Sequence, residues 1–183
     1  MALSPAAFAA DAGFYLGAGI GQSKFIDQCS SEPGITITSC SDTDTATKLF
    51  AGYQITRNWG VEASYVDFGK FTASAIVLGT PASLVVKANG FQFAATGTLP
   101  LANQLSLFGK IGMFLGHVDS SASTGVSLSG SSATLSYGIG GKWDVAERLA
   151  VRLELERFSK VGDDNSTGTS DIDLVSVGVS YKF

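Results

Sequence analysis

The sequence is poor in charged residues for its hydrophobic content. Only 15% of its 183 residues are charged, whereas 45% are hydrophobic. Soluble domains carry about 25% charged residues at a similar apolar fraction, so we expect something other than water to cover part of this chain. The formal net charge of −4 provides no basic surface for DNA or RNA, and nucleic acid is therefore not an expected partner.

The chain also lacks an apolar run of the length that a membrane helix needs, which is about 20 residues. Three long charge-free segments occur, at 71–86, 88–109 and 120–141, but each is interrupted by glycine, proline, amide or serine side chains. With 4 prolines, and 22 glycines that follow no fixed period, proline-rich linkers and collagen are excluded as well. If the protein lies in a membrane, it must therefore cross as a closed barrel of β-strands.

Apolar and polar residues alternate with a period of two through most of the chain, which is the pattern of β-strands. From Val175 to Phe183 every odd position is apolar, and every even position is Ser, Gly or Lys. The same pattern elsewhere predicts an all-β fold of eight strands. Their expected ranges are 14–25, 47–56, 61–68, 84–99, 105–117, 133–143, 149–158 and 172–183.

The connections between these strands alternate between short and long. The short ones are 57–60, 100–104 and 144–148, and the long polar ones are 27–44, 69–83, 118–132 and 159–171. An antiparallel up-and-down barrel with all its short turns at one end is typical of outer-membrane proteins, whose periplasmic turns are short and whose extracellular loops are long. Eight strands place both termini at the short-turn end.

Alternation alone is compatible with a soluble lipocalin-like barrel as well as with a membrane barrel. One face of the strands is apolar and uncharged over most of its length, whereas the other combines ten glycines with small residues and charges. Glycine weakens strands, but a narrow lumen has room for few large side chains, so we place the glycine-rich face inside and the apolar face in lipid. The charged residues expected in the lumen are Lys48, Glu62, Lys110, Lys142, Arg152, Glu154 and Glu156.

The near balance of acids and bases in this set predicts that they pair across the lumen, with Glu62 and Glu154 opposite Lys110 or Arg152. A lumen filled in this way leaves no wide open pore.

At the rims, four aromatic residues near the short turns predict a girdle at one membrane interface: Trp59, Trp143, Tyr181 and Phe183. Lys87 and Arg157 lie at strand ends next to the long loops, where they either contact lipid phosphates or are solvated rim charges.

Four segments resemble the OmpA-like transmembrane β-barrel family. They are GFYLGAGIG at 13–21, WGVE at 59–62, YVDFG at 65–69 and YKF at 181–183. The resemblance implies a bacterial outer-membrane protein of structural, adhesive or surface-antigen type, surrounded by outer-membrane lipid and lipopolysaccharide. It further implies that Phe183 belongs to the signal that the barrel-assembly machinery reads. Because the chain ends with the barrel, the peptidoglycan-binding domain of full-length OmpA and its cell-wall anchoring are not expected.

The first residues resemble the end of a secretory signal peptide, with Ala7 and Ala9 in an A-x-A arrangement. The basic start and apolar middle of such a peptide are missing. We therefore expect residues 1–10 to be a signal-peptide remnant, and residues 11–183 to form the barrel with four long extracellular loops. A short N-terminal tail with no targeting history is the alternative.

Few residues are candidates for chemistry. Cys29 and Cys40, both in the first long loop of an exported chain, predict a disulfide, with two free thiols as the alternative. His117, followed by Asp119 and Ser120, raises the alternative of a lipid A acyl hydrolase, but no second carboxylate is evident nearby, and we expect a structural histidine and no enzyme.

The last long loop is acidic, but its spacing does not fit an EF-hand, so neither a metal site nor a cofactor is expected. A structural protein with surface loops is therefore the leading interpretation, and a small channel or a lipid A-modifying enzyme are the alternatives. The sequence does not identify a ligand of the loops.

Overall fold

A computed structural model of the chain describes residues 12–26, 35–77, 80–101, 104–122, 127–163 and 168–183. Within these residues no helix is long and apolar enough to cross a membrane. The described part of the chain forms nine β-strands, which are β1 (Gly13–Phe25), β2 (Ile35–Ser41), β3 (Thr43–Gln54), β4 (Trp59–Val77), β5 (Thr80–Pro100), β6 (Leu105–Ala122), β7 (Ser127–Asp144), β8 (Leu149–Asp163) and β9 (Gly168–Lys182).

The strands form one closed antiparallel barrel. From β3 onward each strand pairs with the next along the chain, and β1 pairs with both β3 and β9, which closes the barrel. β2 and β3 both pair with β4 and are separated only by Asp42, so together they form one barrel strand with a break. The predicted eight-stranded barrel is therefore confirmed.

The burial pattern confirms which face of the strands is inside. Ile111 and Leu153 on the apolar face are 59% and 57% exposed, whereas their chain neighbours Lys110 and Arg152 are each 5% exposed. A soluble barrel would show the opposite order, because its apolar side chains fill the interior. The exposed apolar residues thus form the surface that lipid covers.

Several inward glycines lie beneath aromatic rings of the neighbouring strand. A Cβ atom at Gly140 would lie 2.4 Å from Cζ of Phe108, and one at Gly17 would lie 2.2 Å from Cζ of Phe50. Glycine at these positions lets a large ring lie flat against the barrel wall, where any other side chain would collide with it. The lumen is therefore filled by alternating rings and glycines.

The strands extend further toward the long-loop end than the sequence predicts. β4 runs to Val77 and β5 begins at Thr80, so most of the expected loop 69–83 is a paired hairpin. The expected loop 118–132 is shortened in the same way, because β6 ends at Ala122 and β7 begins at Ser127. Outside the lipid the antiparallel ladder still satisfies backbone hydrogen bonds, and Thr, Val and Ile in these segments favour strands.

Two of the predictions concern residues that the structure does not describe. The signal-peptide remnant, residues 1–10, and the Cys29–Cys40 disulfide lie outside the described residues, since only the backbone of Cys40 is described. They remain predictions.

Candidate functional site: the barrel lumen

Six of the predicted lumen charges meet at the centre of the barrel and form what we call the ion network. Each is at most 5% exposed. One residue comes from each of β3, β4 and β6, and three come from β8: Lys48, Glu62, Lys110, Arg152, Glu154 and Glu156. The alternation of β8 points its three residues inward, and the closed sheet brings the other strands around them.

Glu154 lies at the centre of the ion network. Its Oε2 atom is 2.7 Å from Nζ of Lys48 and 2.6 Å from Nζ of Lys110. Its Oε1 atom is 2.9 Å from Nε of Arg152, which is ion-pair distance, although the angle falls outside hydrogen-bond geometry. Glu156 accepts from Nζ of Lys48 at 2.6 Å, and its Oε1 atom lies at ion-pair distance, 2.8 Å, from Nζ of Lys110.

Glu62 completes the ion network from the opposite wall. It accepts from Nη1 of Arg152 at 2.7 Å and from Nζ of Lys110 at 3.3 Å, and the Tyr15 hydroxyl donates to it at 3.0 Å. The expected pairing of Glu62 and Glu154 with Lys110 and Arg152 is thus present in the structure. Three cations face three anions, so their mutual attraction offsets the cost of removing each from water.

Aromatic rings surround the Arg152 guanidinium. Its Cζ atom lies 4.4 Å from the ring centroid of Phe50 and 4.5 Å from that of Phe108. Cations at such distances are attracted by the ring quadrupole, most strongly where water is excluded. These rings also fill the lumen beside the ion network, so they both stabilise the charge and close the space.

A buried amide joins the ion network to the next layer of the lumen. Gln92 donates to Glu156 Oε1 at 3.1 Å and to Ser136 Oγ at 3.1 Å, and it accepts from Ser64 Oγ at 2.8 Å. Since Gln92 is 1% exposed, these bonds compensate for the water it has lost. This layer separates the charges from the apolar layer above.

Above Gln92 the lumen is closed by three phenylalanines that we call the aromatic plug. Phe68, Phe114 and Phe158 are all 0% exposed, and their ring centroids are 4.8 to 5.5 Å apart in edge-to-face arrangements. The sequence does not reveal this plug as a layer, because alternation shows which side chains point inward but not the height at which they meet. The signal was that Val66 and Phe68 continue the inward alternation of Glu62 beyond the polar layer.

Below the ion network, at the short-turn end, a cavity of about 520 Å³ that we call the mouth opens outward. Its lining is mostly polar and includes Tyr15, Gln54, Arg57, Thr96, Thr98, Ser106, Lys142, Asp144, Glu147, Arg148, Arg152, Ser180 and Lys182. Lys142, which we expected in the lumen network, lies here instead: its side chain is 35% exposed and pairs with Asp144 at 3.2 Å. It is too near the end of β7 to reach the buried carboxylates.

The two cations expected at the loop-side rim differ in their surroundings. Nε and Nη2 of Arg157 donate to the two carboxylate oxygens of Asp173, the second at 2.6 Å, so this cation already has a counterion within the chain. Lys87 is exposed on β5, between Lys70 and Asp119 on the neighbouring strands. Lys87 is therefore a better candidate than Arg157 for the expected pairing with lipid phosphates.

His117 lies on the outer face of β6 and contacts two side chains. Its Nδ1 atom is 2.9 Å from Ser131 Oγ, and its Nε2 atom is 3.4 Å from Asp119 Oδ1. The side chains of His117 and Asp119 are 49% and 53% exposed. Ser131, directly opposite on β7, is the serine that the histidine contacts.

The sequence is similar to curated outer-membrane proteins. It is 32% identical over 140 residues to outer membrane protein A of Klebsiella pneumoniae and 30% identical over 140 residues to that of Serratia marcescens. Each match covers 73% of this chain, but only 40% and 38% of the relative. The chain thus spans well under half the length of these relatives.

Solved structures share the fold. Neisserial surface protein A has a TM-score of 0.64 at 15% identity, and Ail of Yersinia pestis, in complex with the heparin analogue sucrose octasulfate, has 0.61 at 18%. In both cases the match covers 94% of this chain and 99% of the other. The family described as the OmpA-like transmembrane domain matches residues 9–183. This chain therefore belongs to the OmpA-like transmembrane domain family and is a β-barrel of the bacterial outer membrane.

Proposed function

We propose that the protein is a structural barrel that holds surface hairpins at the outer face of the membrane, as an adhesin or a surface antigen. The observation that carries this proposal is the filled lumen, in which the ion network, the Gln92 layer and the aromatic plug follow one another. A lumen filled in this way leaves the hairpins as the part of the protein that meets other molecules.

The hairpin of β4 and β5 allows a precise test of surface binding. Thr72 pairs with Val85, so replacing 73–84 by an Asn-Gly turn shortens both strands equally and keeps the register. We expect the shortened protein to remain a barrel, so that its migration on a gel still changes when it is boiled. We also expect it to lose binding to host cells or matrix. Equal binding by wild type and every such hairpin variant would contradict the adhesive role. Ail, whose name includes attachment and invasion, supports the choice of this assay.

The alternative of a small channel is tested by conductance in planar bilayers. Water can enter the mouth, but continuing inward requires separating at least three ion pairs of 2.6 to 2.7 Å and then the aromatic plug. We therefore expect no steady conductance of the size seen in general porins. Porin-like currents from the wild-type protein would show that the lumen opens, and the channel would replace the structural role.

Lipopolysaccharide and the barrel-assembly machinery are the partners that we propose. Exposed Lys87 at the loop-side rim supports contact with lipid phosphates, and the exposed ring pair of Tyr181 and Phe183, with centroids 5.2 Å apart, supports recognition of the last strand during assembly.

We also propose that the protein is not an enzyme. Mass spectrometry of lipid A from cells with wild-type protein and with His117→Ala should give identical spectra, and a missing acyl chain only with wild type would overturn this.

A further inference from the structure

The mouth has the properties of a ligand site that the structural role does not use. Its volume of about 520 Å³ is typical of cavities that hold small molecules, which measure about 300 to 1,000 Å³. It lies between the ion network and the short turns, so its opening faces the periplasm. Any ligand would therefore come from the side opposite to the surface hairpins.

The charge of the mouth is not needed to balance the ion network, which is neutral by itself. Apart from Arg152, which belongs to that network, four basic and two acidic residues line the described part of the mouth: Arg57, Lys142, Arg148, Lys182, Asp144 and Glu147. The lining thus has an excess of two positive charges. Lys142 is held at the rim by Asp144 at 3.2 Å, and Arg148 donates to the Tyr181 hydroxyl at 3.5 Å.

Three hydroxyl-bearing residues on the wall of the mouth point to the same use. Thr96, Ser106 and Ser180 are only 4%, 7% and 8% exposed and line the cavity. Within the described part of the chain none of these hydroxyls has a hydrogen-bond partner. Their oxygens reach the cavity space, where a molecule inside the mouth can accept a hydrogen bond from them.

We propose that the mouth binds a small phosphorylated molecule from the periplasm. A phosphate group carries a charge of about −1.5 to −2 at pH 7 and three strong acceptor oxygens, which matches the excess charge and the donors of the mouth. Lysine and arginine at the rim supply charge-assisted hydrogen bonds, and the hydroxyls supply neutral ones deeper in the cavity. This site goes beyond the proposed surface role and does not depend on it.

Calorimetric titration of the whole protein in dodecyl maltoside tests the site, since this detergent contains no phosphate. Inorganic phosphate and glycerol 3-phosphate are the probes, with ionic strength held constant by chloride. We expect saturable binding of one molecule per barrel, tighter for glycerol 3-phosphate because it fills more of the cavity. Lys142→Gln removes a charge-assisted bond and should weaken binding about tenfold.

Two further variants separate the site from general charge effects. Ser106→Ala should weaken binding several-fold without lowering the unfolding midpoint, because the hydroxyl has no partner in the described chain. Lys160→Gln removes the same charge at the opposite end of the barrel, on the exposed end of β8, and should bind as wild type does. The proposal is overturned by a lack of saturable binding, by binding that Lys142→Gln and Ser106→Ala leave unchanged, or by an equal loss in Lys160→Gln.

Discussion

Replacing Glu154 by alanine removes the carboxylate at the centre of the ion network, where it contacts Lys48, Lys110 and Arg152 at 2.6 to 2.9 Å. The three cations would then face only Glu62 and Glu156, which leaves one buried positive charge without a counterion. Breaking a buried ion pair in this way costs about 3 to 5 kcal/mol. With Glu154 itself 3% exposed, water cannot supply the missing solvation without entering the lumen.

Urea unfolding in lipid vesicles measures this cost, with the fluorescence of Trp59 and Trp143 as the signal. If the slope is about 2 kcal/mol per molar urea, the midpoint should fall by about 1.5 to 2.5 M. Glu147→Ala removes an exposed carboxylate from the turn before β8 and is the matched control, with an expected change within about 0.5 kcal/mol. An unchanged midpoint in Glu154→Ala would refute the view that the pairs are buried and mutually dependent.

A double variant examines the same reasoning from the other side. Combining Glu154→Gln with Lys48→Met removes one negative and one positive charge, so the ion network again has equal numbers of both. Lys48 is chosen because its Nζ atom lies 2.7 Å from Glu154 Oε2. We expect the double variant to be more stable than the sum of the two single changes predicts, since residues in direct contact couple by about 0.5 to 3 kcal/mol. Strict additivity would show that Lys48 and Glu154 do not interact in the folded barrel.

Three more predictions concern the packing of the lumen and the first loop. Gly140→Ala should destabilise the barrel by about 1 to 3 kcal/mol in the same urea assay, because its Cβ would overlap a phenylalanine ring, whereas Gly141→Ala, with nothing within 4 Å, should be neutral or stabilising. Phe114→Ala should cost about 3 to 5 kcal/mol by opening a cavity in the aromatic plug, and equal stability would contradict close packing there. Peptide mapping of unreduced protein should find Cys29 linked to Cys40, and quantitative alkylation without reductant would exclude the bond.

The strand positions and their inward and outward faces could be predicted because alternate residues face two different environments, lipid on the outside and the packed lumen on the inside. Lipid requires the outward positions to be apolar, and Ile111 and Leu153 show this in the chain beside their buried neighbours Lys110 and Arg152. Such a pattern has only one register, since a slip by one residue would expose charges to lipid. The composition of the central charge cluster follows from the same alternation.

The ends of the lumen were harder to predict, because height along the barrel is not visible in alternation. Lys142 has the inward parity of the ion network but lies at the end of β7, where it pairs with Asp144 and faces the mouth. Phe158 has the same parity as Glu154 but lies above the polar layer, in the aromatic plug. Height depends on strand tilt and on the register between distant strands, which local sequence does not encode.

The origin of the six network charges in the chain has a consequence for the way the barrel is made. β1 to β5 contribute one cation and one anion, Lys48 and Glu62, whose Nζ and Oε1 atoms lie 3.9 Å apart. β6 to β9 contribute two of each sign, and Arg152 and Glu154 already contact each other on β8. Each half of the chain therefore supplies the ion network with equal numbers of positive and negative charges, so partners of opposite sign are already present in each half before the barrel closes.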